Sequence, residues 1–120
     1  MLARQDTREV EAELATAESA IREAEQQLSA TQADLAKTEA QSRTAATDLK
    51  RKAELQQRRA ISQSEYDAAV AKADEAKAGV AAAQARIEAA QASVIASRAR
   101  AAQVQVSFEK LHLYLSLIHI

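Results

Sequence analysis

The chain has no proline, no cysteine and no tryptophan, and only one glycine, one phenylalanine and two tyrosines in 120 residues. Each absence narrows the possibilities. A compact globular fold needs turn residues to redirect the backbone and bulky side chains to fill a core, and both are scarce here. Zero cysteine excludes disulfide scaffolds and thiolate metal sites, while leaving the compartment open. Charge of one sign is lacking as well: 16 basic residues stand against 17 acidic ones, a net charge of −1. A nucleic-acid binder needs a basic surplus to displace counterions, so no nucleic-acid partner is expected. No apolar run approaches the roughly 20 residues that span a bilayer. The opening Met1-Leu2-Ala3-Arg4-Gln5-Asp6 has no apolar stretch of the kind a secretory signal contains. Those two absences leave either a cytosolic protein or a segment of a longer one.

What remains is alanine, glutamate, glutamine, lysine and arginine, the mixture from which long helices are made. Alanine supplies more than half of the 48% hydrophobic content, so the figure overstates how much surface can be buried. The order of these residues is informative. From Val10, a 4-3 spacing visits Leu14, Ala17, Ile21, Ala24, Leu28, Thr31, Leu35, Thr38, Ser42, Ala45 and Leu49, with mostly polar or small residues between them. A second seam runs through Tyr66, Ala69, Ala73, Ala76, Val80, Ala83, Ile87, Ala90, Val94, Ser97, Ala101, Val104, Phe108 and Leu111. A hydrophobic period of 3.5 predicts left-handed coiled-coil packing.

The phase breaks between the seams, which points to two antiparallel arms. Facing residues of such arms have position numbers with a constant sum. Leu14 with Phe108, Leu28 with Val94 and Leu35 with Ile87 all give 122, and the same sum sets Ile21 against Ala101, Ser42 against Val80 and Leu49 against Ala73. The turn then falls near position 61. Ser62 followed by Glu65 is independently a capping box, the S-x-x-E that opens a helix. The expected fold is all-α, a long antiparallel two-helix coiled-coil hairpin with helices at 7–59 and 63–110 and a tip turn at 60–62. Alternating large and small layers would let the backbones approach closely, giving a thin, marginally stable hairpin with arms reaching roughly 70 Å at about 1.5 Å per residue.

No constellation of residues suggests catalysis, so the chain is not expected to be an enzyme or to hold a cofactor or metal. His112 and His119 lack carboxylate or thiolate neighbours at ligand spacing and are read as incidental. The acidic residues recur on outer faces, where solvation and i,i+4 pairing explain them. The only glycine, Gly79, sits mid-helix and forms no phosphate loop. The turn is more unusual: Lys50, Arg51, Lys52, Arg58 and Arg59 cluster there, Leu55 lies off the 4-3 phase, and Ile61 is apolar between polar neighbours. Two readings stand for this segment. It is a solvated charge run with Leu55 and Ile61 plugging the end of the hairpin, or it is a docking tip.

The phrase Arg59-Ala60-Ile61-Ser62-Gln63-Ser64-Glu65-Tyr66-Asp67-Ala68-Ala69 resembles the hairpin-tip signature "GAISxxEYDxA" of the membrane fusion proteins, the HlyD-like periplasmic adaptors of Gram-negative export pumps. Arg51, Leu55 and Ser62 match that family's R-x3-L-x6-S tip motif. The resemblance implies that these three engage the grooves of a TolC-type outer-membrane channel: Arg51 donating hydrogen bonds, Leu55 filling an apolar notch, Ser62 bonding and capping. It also implies a periplasmic protein anchored at the inner membrane, a homo-oligomeric ring, and an inner-membrane transporter contacted through domains missing from this segment. The transporter class (RND, ABC or major facilitator) and the exported substrate stay open. Leu2-Ala3-Arg4-Gln5-Asp6 is similar to the family's "LxRLD" exit from a lipoyl-like β-domain, with Gln5 in place of the usual apolar residue. Leu111-His112-Leu113-Tyr114 is similar to the strand that re-enters that domain. The expected layout is thus 1–6 as the end of a truncated lipoyl-like β-domain and 111–114 as the start of the returning strand. Residues 115–120, Leu-Ser-Leu-Ile-His-Ile, depart from the family's "APxxG" and match the translation of a common sequencing-library adapter, so the natural sequence is expected to end at Tyr114. The competing reading is a generic coiled coil that dimerises or scaffolds through the same seams.

Overall fold

The computed structural model describes residues 2–118, with side chains described from Arg4 onward. Two helices of 56 residues account for nearly all of it: α1 over Leu2–Gln57 and α2 over Gln63–Ile118, joined by the turn at 58–62. The fold is an all-α antiparallel helical hairpin.

Its packing follows the two seams. The eight buried apolar residues among those described (Ala17, Ala24, Ala45, Ala69, Ala73, Ala83, Ala90 and Val94) all lie on positions of the 4-3 spacing. The larger seam residues, including Leu14, Ile21, Leu28, Leu35, Leu49, Val80, Ile87 and Phe108, are only half-buried. The reason is geometric. In a two-helix coil a seam side chain has a partner helix on one side and water on both flanks, so only a short side chain fits wholly beneath the opposite backbone. Polar seam positions are reconciled locally: the Thr38 hydroxyl donates to the Leu35 carbonyl at 2.9 Å. No buried side-chain nitrogen or oxygen lacks a partner among the described residues.

Two compact units make up the hairpin. Ser29–Glu88 forms the turn-bearing unit, in which Arg86 Nη2 donates across the arms to Asp34 Oδ2 at 2.9 Å. The remaining described residues of both helices form the other unit, where Arg98 Nη2 donates to Glu25 Oε1 at 3.1 Å. The positions in these two pairs add to 120 and 123, which bracket the sum of 122 obtained from the seam. In the turn-bearing unit, Ala45, Ala76 and Gly79 are too small to fill the space beside them. They leave an open groove of about 1230 Å³ whose rim carries both signs of charge, among them Lys37, Asp48, Lys72 and Glu75.

The helices depart from expectation at three ends. α1 stops at Gln57, two residues short of 59, for a reason given below. α2 runs past 110, and Leu111–Tyr114, expected as a strand, is helical. Leu2–Asp6, expected to leave a β-domain, is likewise part of α1. A strand needs a neighbour to take up its N–H and C=O groups, and no strand exists among the described residues; a helix satisfies its own. The seam also continues beyond the expected limits. Thr7 and Leu115 are both half-buried and again add to 122, and with Phe108, Leu111, His112 and Ser116 they line a small cleft of about 320 Å³. Within it the Phe108 and His112 rings stack at 6.1 Å. Of the expected non-native tail, 115–118 is helical, while His119 and Ile120, like Met1, lie outside the described residues.

Candidate functional site at the hairpin turn

Reversing the chain between two long helices leaves carbonyls without partners at the end of α1 and amides without partners at the start of α2. The end of α1 is closed by a Schellman motif. The Ala60 N–H donates to the Leu55 carbonyl at 2.8 Å and the Arg59 N–H to the Gln56 carbonyl at 2.9 Å. This geometry requires the residue at the C′ position to adopt left-handed backbone angles, a place usually taken by glycine. Here it is Arg59, with φ 58°, the only non-glycine residue of positive φ among those described. That reversal is what ends α1 at Gln57.

The start of α2 is closed by Ser62. Its Oγ accepts the Glu65 N–H at 3.2 Å, the serine half of the capping box, and its carbonyl accepts the Tyr66 N–H at 3.2 Å. Glu65 places a negative charge in the first turn, where the helix dipole favours it. A side-chain bridge ties the two ends together: the Gln56 amide donates to the Gln63 amide oxygen, and Gln63 Nε2 donates to Asp67 Oδ1 at 3.0 Å.

The three residues of the expected docking motif all fall in or beside this framework. Leu55 is half-buried and its carbonyl anchors the Schellman motif; Ser62 is exposed and caps α2. Arg51 is exposed one turn back from Leu55, on the same face of α1 by its i,i+4 spacing. Ile61 is half-buried, in keeping with a plug at the end of the seam. Of the five basic residues, Lys52 alone has an ion-pair partner among the described residues, Asp48 at 3.6 Å. Arg51, Arg58 and Arg59 are exposed, and their guanidinium groups have no ion-pair partner among the described residues. Sequence reasoning did not anticipate the glutamine bridge or the conformation of Arg59. The first could have been read from two glutamines on either side of the turn; the second has no local signal, because the residue that would announce it is absent.

No group of three or more potential metal ligands occurs among the described residues, and none of their helices is long and apolar enough to cross a membrane. Residues 27–96 match the family described as RND MFP, alpha-helical hairpin domain. That span covers more than half of the 120 residues, and its midpoint, 61.5, falls within the turn. No curated protein and no solved structure matches the chain.

Proposed function

This chain belongs to the RND membrane fusion proteins, whose α-helical hairpin domain it carries, and on that membership we propose that it bridges an inner-membrane transporter to a TolC-type outer-membrane channel. Membership supports a role as an adaptor in RND efflux generally. The finer reading assigns the work to the turn. Arg51 supplies hydrogen-bond donors, Leu55 an apolar contact and Ser62 a hydroxyl, against the periplasmic end of the channel. The observation that supports this reading is that the family match is centred on the same turn that Leu55 and Ser62 help to close, with Arg51 one helical turn before Leu55.

The rest of the hairpin serves as a spacer with a polar exterior. Its outward glutamine, arginine and glutamate side chains suit wet lateral contacts between copies in a ring, each weak alone and effective together. On this reading the protein works in the periplasm, anchored at the inner membrane. It carries no chemistry of its own.

The test is export by the full-length protein. Arg51→Ala removes only an exposed side chain, so helical content measured by circular dichroism should stay at the wild-type level while export is lost. Wild-type export by this variant would remove the docking role and leave a generic coiled coil.

A further inference from the structure

The turn holds a long cationic side chain at the one backbone position, among the described residues, whose left-handed angles disfavour a side chain. A left-handed φ crowds Cβ against the following carbonyl; glycine, without Cβ, avoids that crowding, and asparagine offsets it with a local side-chain hydrogen bond. The chain nevertheless has Arg59 there, at φ 58°, and spends its single glycine in mid-helix at Gly79. Helix-dipole stabilisation does not explain the choice. A cation just beyond the helix end serves that purpose, and Arg58, the first residue after α1, already supplies one without left-handed angles. Packing does not explain it either, since Arg59 is exposed. Strain held in place by a hydrogen-bonded frame is a mark of a functional position.

The chemistry available there is specific. Arg58 and Arg59, adjacent in the chain and both exposed, carry guanidinium groups with no ion-pair partner among the described residues. Guanidinium is a planar donor fork that matches a carboxylate in bidentate fashion. The frame around it is fixed by the bonds from Ala60 to Leu55 and from Arg59 to Gln56, so the side chain leaves a rigid base. We infer that Arg59 is a partner-recognition residue, which together with Arg58 takes a carboxylate on the protein surface that the turn meets. The inference rests on the proposed docking of the turn to an outer-membrane channel and adds to it an electrostatic contact beyond Arg51, Leu55 and Ser62.

The test sets stability against binding. The 120-residue chain and its Arg59→Gly, Arg59→Asn, Arg59→Lys and Arg51→Ala variants are immobilised densely. A purified TolC-type channel in nanodiscs is passed over them at low and high salt, and urea unfolding is followed in parallel. Arg59→Gly relieves the backbone, so its unfolding constant should fall about three- to tenfold, while its affinity for the channel falls about tenfold or more, as expected when a charged partner is lost. Arg59→Asn should follow the same pattern. Arg59→Lys keeps the charge and the strain but loses the fork, and should bind at an intermediate level. The affinity ratio of wild type to Arg59→Gly should shrink at high salt. If Arg59→Gly binds like wild type while Arg51→Ala does not, the inference is overturned and the docking reading survives. If Arg51→Ala also binds like wild type, or the wild type does not bind, the docking reading falls, and this inference with it. An Arg59→Gly variant less stable than wild type would remove the strain on which the argument stands.

Discussion

Single residues in this hairpin act mainly through the backbone, because few side chains are enclosed. Gly79 is half-buried within α2, and a methyl group added there would meet nothing within 4 Å. Gly79→Ala therefore gains helix propensity without crowding, and should stabilise the hairpin by about 1 kcal/mol. A rise in the urea midpoint with unchanged slope would register the gain. Ser62 works in the opposite sense. Its Oγ is the acceptor for the Glu65 amide, so Ser62→Ala strands that donor and should destabilise the fold by about 1 kcal/mol. Ser62→Asp should restore most of that loss in the same titration. Because Ser62 is both a cap and an expected docking residue, an export defect in Ser62→Ala is ambiguous, and Ser62→Asp separates the two roles.

At the level of the helices, the seam was readable in advance and their ends were not. A 3.5-residue repeat is a geometric property of the sequence, so the positions that become buried, such as Ala17, Ala45 and Ala83, could be marked from spacing alone. The turn was likewise legible, because the seam sum and the Ser62 cap each point to it. The end of α1 was not, since Arg59 occupies a place where glycine would ordinarily signal a stop. The strand expected at Leu111–Tyr114 came from a resemblance and not from the residues' own pattern, and with no strand among the described residues to pair with, helix satisfies the backbone locally. Ala83, with 0% exposure, sets how closely the helices approach in the turn-bearing unit. Ala83→Leu should force the helices apart and destabilise the hairpin by about 1–3 kcal/mol, visible as a lower thermal midpoint. The Asp34–Arg86 pair is about half exposed, with side-chain exposures of 44% and 56%, and should matter far less. A double-mutant cycle on it should return a coupling below about 1 kcal/mol that fades with salt.

For the whole molecule, the composition of the buried seam carries a consequence beyond packing. Seven of the eight buried residues among those described are alanine, and the eighth is Val94. Unfolding such a hairpin exposes much backbone amide surface and comparatively little hydrocarbon. The two contribute to the heat capacity with opposite sign, apolar exposure raising it and polar exposure lowering it. The heat-capacity increment of unfolding should therefore lie below the roughly 12–15 cal/mol/K per residue of globular domains, as differential scanning calorimetry can measure. A small increment flattens the curve of stability against temperature. This hairpin should accordingly lose little of its stability on cooling and keep its helical signal near freezing, where proteins held together by large apolar cores begin to weaken.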